Sequence, residues 1–192
     1  MTELAPVWDH DDDLVGALTV PPRDKLIAFD LRGTLIHECG HLIVGDHVGV
    51  EKSFADIWLC EDAHPLDKKL IRGRASFFPR LHGRNKQLMG VAGIVAESLA
   101  DEEYFCSYSL LDQVDNDPNT MSATDRERAG EIDEALLHEC ADILRQRWPD
   151  LIAEALHYLE QFEKSHADDG DVVGAAPSVR VDLERIASRF HS

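Results

Sequence analysis

Residues 37–41 read HECGH, inside the longer run LRGTLIHECGHLIVGDH. On a helix, four positions turn the chain by about 400°, so His37 and His41 project from one face, one turn apart. That spacing suits two imidazole nitrogens binding a single Zn²⁺ at about 2.0–2.1 Å each. Glu38 falls about 100° further round, close enough to reach a water on the metal without ligating the metal itself. Zinc lowers the pKa of its water towards about 7 and polarises a carbonyl, and a carboxylate beside it can accept the water's proton and hand it to a leaving amine. The chemistry encoded is peptide-bond hydrolysis. The flanks TLI and LIV are apolar, so the helix is expected to be largely buried. Buried imidazoles and a buried carboxylate carry a desolvation cost unless something binds them.

A catalytic zinc usually keeps three protein ligands and one open position. Three residues compete for the third place. His47 follows His41 by six residues, as in an HExxHxxGxxH helix, but Val44 stands where that pattern needs glycine and Gly45 comes one place late. Glu61 follows His41 by twenty residues, as in thermolysin-like enzymes, but those carry aspartate four residues later, where this chain has Pro65, and EDAHP reads as a turn. The third candidate is Asp125, in NTMSATDRERAGEIDEALL. A further His-Glu-Cys, in LHECAD at 137–142, has Asp142 at the second ligand position and polar neighbours; it reads as an exposed helix face and is assigned no metal.

These side chains need a scaffold. Asp30 to Val44 has a helical pattern, with Gly45 placed as a C-cap glycine. Ser53 to Cys60 is a candidate strand, and Arg72 to Pro79 a second strand or an extended loop. Residues 84–101 form a helix whose Gly90, Ala92, Gly93 and Ala96 permit close packing. An irregular stretch is expected to Thr120, followed by two long helices, about 122–147 and 149–164, divided at Trp148-Pro149. Leu136, Leu137, Cys140 and Leu144, then Ile152, Leu156, Leu159 and Phe162, recur at helical spacing and read as core. The fold class expected is mainly α, an α+β domain with a minor short sheet and HExxH on a core helix.

Composition bounds the rest. The chain has 192 residues, 44% of them hydrophobic, which suffices for one domain with tails. A formal net charge of -18 argues against a nucleic-acid or anionic-membrane surface. Acidic residues gather at Asp9, Asp11, Asp12 and Asp13 and again at Asp168, Asp169 and Asp171, the signature of solvated tails. The start, MTELAPVWDHDDD, lacks the basic and apolar regions of a signal peptide, and no run approaches the roughly 18 apolar residues of a membrane span. Cys39, Cys60, Cys106 and Cys140 are scattered without a CxxC pair, which suits free thiols and a cytoplasmic location. The organisation expected is a flexible acidic arm over 1–23, a domain over 24–164, and a linker with a short C-terminal segment over 165–192.

Three blocks in order resemble the zinc-peptidase domain of the FtsH-type ATP-dependent proteases. TLIHECGHLIVG is similar to that family's metal helix, VAGIVAESLAD to its glycine- and alanine-rich helix ending in Ala-Glu, and SATDRERA to the segment whose aspartate completes the zinc site. ALLHECADILRQRWPDLIAEALHYLEQFE is similar to its closing helices, so the resemblance spans about residues 26–163. It implies that His37, His41 and Asp125 bind one Zn²⁺, that Glu38 is the general base, and that Glu97 orients a ligand histidine. A capped helix start agrees with Asp125, because Ser122 or Thr124 and the backbone N–H groups can hold a carboxylate there. The family also carries an ATPase module and membrane segments; here no GxxxxGK[ST] occurs. Substrates would then be flexible peptides, unfolded proteins, or chains delivered by a separate ATPase or unfoldase. Ring assembly in the family rests on its ATPase part as well, which leaves oligomer formation open. The loop from Glu102 to Asn119 is longer than expected and reads as a surface insertion, a lid or a partner site. A reading from another class is a non-catalytic zinc-binding module that keeps the site for stability or partner recognition.

Overall fold

The computed structural model describes residues 23–60, 69–101 and 104–168. A long helix, α1 (Arg23–His47), runs through the middle of the molecule. It is followed by β1 (Lys52–Leu59) and β2 (Ile71–Phe78), then α2 (Gly83–Asp101), α3 (Ser107–Asn116), α4 (Ala123–Ala129), α5 (Glu134–Gln146) and α6 (Trp148–Asp168). Among the described residues the fold is mainly α with one two-stranded antiparallel sheet, as the sequence pattern implies. Among the described residues no helix is long and apolar enough to cross a membrane.

Core-facing residues of α1, among them Leu31, Leu35, Ile36, Cys39, Ile43 and Val44, are buried against α2, α5 and α6. α1 passes the expected stop at Gly45. Its end is a Schellman motif instead: the N–H of Val50 donates to Gly45 O at 2.9 Å and that of Gly49 to Asp46 O at 3.1 Å. Gly49 takes the left-handed φ of 81° that this motif requires, while Gly45 remains helical beside Met89.

The two strands pair in register Lys52↔Phe78 through Leu59↔Ile71. The outer edge of β2 is tied to α1 at its start, where Asp30 accepts the N–H of Leu70 and the Thr34 hydroxyl donates to Ile71 O at 3.4 Å. The other edge meets α6: the Ala55 N–H donates to the Tyr158 hydroxyl at 3.1 Å.

Two expectations fail on the second half of the chain. The stretch before Thr120 is not irregular, because α3 buries Ser107, Leu110 and Val114 at helical spacing. Ser107 Oγ donates to Glu134 Oε2 and lies 3.0 Å from His138 Nε2, which fastens α3 to α5. The helix expected over 122–147 is two helices. Gly130, with φ 64°, ends α4, and Asp133 caps α5 by accepting the Leu136 N–H at 2.7 Å. The break at Trp148-Pro149 holds, with Pro149 in the first turn of α6.

Leu136, Leu137, Cys140 and Leu144 are buried as expected, as are Ile152 and Leu159, whereas Leu156 is 38% exposed. α6 continues to Asp168, past residue 165 where the linker was expected to begin; residues 1–22 of the expected 1–23 arm and the segment from 169 onward lie outside the described residues.

Candidate metal centre

α1 presents His37 and His41 towards the start of α4, and there the two rings meet Asp125. His37 Nε2 and His41 Nε2 are 3.2 Å apart; Asp125 Oδ2 lies 3.6 Å from the first and Oδ1 3.7 Å from the second. Two donors at about 2.0–2.1 Å from a tetrahedral ion stand about 3.4 Å apart, so the paired nitrogens and the nearest Asp125 oxygen to each are spaced close to what one such ion requires. Two imidazoles and a carboxylate are also the donor types that zinc takes in open sites. The three residues form a group that could hold a metal ion.

Asp125 owes its place to local chemistry. Ser122 is the N-cap of α4; its hydroxyl accepts the Asp125 N–H at 3.1 Å and donates to Asp125 Oδ2 at 2.7 Å. Arg128, one turn on, donates from Nη1 to Oδ1 at 3.1 Å, and its guanidinium stacks over the Phe77 ring at 4.7 Å. α4 itself lies hard against α2, where Gly90 leaves room for the backbone of Ala129.

Glu97 on α2 lies 2.7 Å from His37 Nδ1. The Nδ1–H donates to the carboxylate, which points Nε2 towards Asp125 and His41. Burial alone would lower the His37 pKa, but the bonds to Asp125 and Glu97 outweigh it and push it up to about 10. The carboxylates move the other way. Burial would raise Glu97 and Asp125, yet the imidazoles beside them hold Glu97 below, and Asp125 well below, the usual carboxylate range. In the metal-free protein, the site is thus held together by a shared proton and charge, which a dication would replace. His41 is less supported: its Nδ1 is buried and has no hydrogen-bond partner among the described residues, so packing orients that ring.

Glu38 is 6% exposed and lies beside β2. A Cβ on Gly73 would fall 2.5 Å from its Cγ and 2.6 Å from its Oε1, so the carboxylate occupies space that any other residue at position 73 would take. Gly93 plays the same part for His37, since a Cβ there would fall 2.3 Å from Cε1 and Nε2 of the ring. Sequence reasoning read Gly93 only as a packing residue and gave Gly73 no role. An isolated glycine in a strand, as a mark of close approach, was the available signal for Gly73.

The alternatives separate clearly in space. His47 is the last residue of α1, exposed, and six residues past His41, about 9 Å further along the axis. It is outside the group. Glu61 lies outside the described residues. His138, Glu139 and Asp142 are exposed on α5, where Glu139 pairs with Arg84 and Asp142 with Arg145. No known family's sequence pattern matches the chain, and no curated protein is similar to it.

Proposed function

We propose that this chain is a zinc metallopeptidase domain of FtsH type, hydrolysing peptide bonds in flexible or unfolded polypeptides. The observation that carries this reading is the approach of Asp125 to His37 and His41, from a helix more than eighty residues away in sequence, with Glu38 buried at their side. A stable core has no need of that arrangement, because two imidazoles and two carboxylates are costly to bury without a ligand.

His37, His41 and Asp125 would hold the zinc, which when bound supplies Lewis acidity to a water and to the scissile carbonyl. Glu38 accepts a proton from the attacking water and delivers it to the departing amine nitrogen as the C–N bond breaks. Gly73 keeps that carboxylate against β2, and Glu97 fixes the His37 tautomer. Four free cysteines agree with a reducing, cytoplasmic setting. Lacking a P-loop motif, the chain would rely on substrates already unfolded or supplied by a separate unfoldase.

Digestion of casein by the purified protein, with and without chelator, tests the reading. Cleavage should stop with chelator, return with zinc, and fall by about two orders of magnitude or more in Glu38→Gln, whose zinc content stays that of the wild type. Zinc-loaded wild type that cleaves no unfolded substrate would instead assign the site to a binding module.

A further inference from the structure

The face of the β-hairpin turned away from α1 carries a second, separate feature. Strand alternation places Phe54 and Trp58 of β1 on that face, and the register sets Phe78 of β2 on the same face, opposite Lys52 and diagonal to Phe54. These rings are 54%, 43% and 69% exposed, while Ala55, Ile71 and Ala75 on the opposite face are buried. Single exposed aromatics are ordinary, but three on one face of two strands form a patch with no covering among the described residues.

The charge of the patch runs against the rest of the chain. Lys52, Arg72 and Arg74 share this outward face with only one carboxylate, Asp56, which lies 3.6 Å from Arg74. Three cations against one anion stand out on a chain of net charge -18. Arginine beside exposed Trp and Phe is the composition of a recognition surface: the rings supply apolar area at low entropic cost, and the guanidinium groups supply orientation and sign. The shape is narrow. Two paired strands about 4.8 Å apart and eight residues long make a strip about 27 Å in length, the footprint of one extended chain. A lipid surface fits less well, because the cations and rings are interspersed on one narrow strip and the strongly acidic body would be repelled by anionic headgroups.

We propose that this outward hairpin face docks an extended, acidic polypeptide segment bearing aromatic or aliphatic side chains. The inference does not depend on zinc. Where the peptidase reading also holds, the face is an exosite: β2 presents Gly73 to Glu38 from one side and its two flanking arginines, Arg72 and Arg74, from the other.

The test is fluorescence anisotropy of a labelled poly(Glu,Tyr) copolymer titrated with full-length protein carrying Glu38→Gln, so that the probe survives. Binding is expected, with affinity falling as salt rises and no comparable binding of poly(Lys,Tyr). Arg72→Glu with Arg74→Glu, and separately Phe54→Ser with Trp58→Ser, should each weaken it by about tenfold or more while circular dichroism stays unchanged. Equal affinity in these variants, or preference for poly(Lys,Tyr), overturns the proposal. So does binding to phosphatidylserine vesicles in place of the copolymer, self-association abolished by the aromatic changes in its place, or copolymer binding seen only once residues 1–22 are deleted. Casein cleavage by protein with Glu38 intact is read in parallel, so failure of either idea leaves the other standing.

Discussion

Gly93 faces His37 so closely that its missing side chain defines where the imidazole sits, with a Cβ falling 2.3 Å from Nε2. Gly93→Ala must therefore displace the ring, because the helix backbone of α2 cannot retreat from a packed core. Zinc affinity should drop by about ten- to a hundredfold while the protein remains folded. Competition with a chromogenic chelator, beside a thermal melt, checks both halves.

Glu97→Gln keeps an acceptor for the His37 Nδ1–H but removes the charge. Zinc should bind about tenfold more weakly, and Glu97→Ala more weakly still. The metal-free wild type also has a defined pH response. The folded His37 pKa, about 10, lies above the unfolded value near 6.5, so its stabilisation is fully present below about pH 6.5 and is lost as pH rises through 10. At pH 8, zinc must displace that proton, and calorimetry in buffers of different ionisation enthalpy should show close to one proton released by His37 per zinc. Glu97→Gln should reduce the release.

Trp148 is fully buried at the junction of α5 and α6, and Pro149 after it fixes the start of α6. Trp148→Ala leaves a large cavity between these helices and should cost about 3–5 kcal/mol in urea-induced unfolding. Leu156→Ala, by contrast, trims a side chain that is 38% exposed and should cost well under half of that.

Much of the site was legible because its residues carry their chemistry in their type. His37, Glu38 and His41 have the spacing of a metal-binding helix, whereas Asp125 was named by the resemblance of SATDRERA to a known metal segment, with a helix-start cap in agreement. Less visible were the spaces around them. Gly73 and Gly93 act by what they lack, and only coordinates show what fills the gap. Reading 122–147 as one helix overlooked Gly130, since a lone glycine costs a helix only about 1 kcal/mol and does not by itself announce a break. Asp133 was the stronger clue, an N-cap ahead of a buried leucine pair. α3 escaped because its N-cap position, Cys106, offers no side-chain cap, and NDPNT just beyond it draws attention to the loop. The three residues of α1 past Val44 follow from Gly49, whose positive φ closes a motif that Gly45 does not.

Zinc content by atomic emission, measured on wild type, Glu38→Gln and Asp125→Ala purified side by side and dialysed against the same weak chelator, probes the shared ion most directly. About one zinc per chain is expected in the first two and little in Asp125→Ala, all three folded. Zinc retained by Asp125→Ala as firmly as by wild type would show that His37 and His41 do not share an ion with that carboxylate, and the peptidase site as described would not exist.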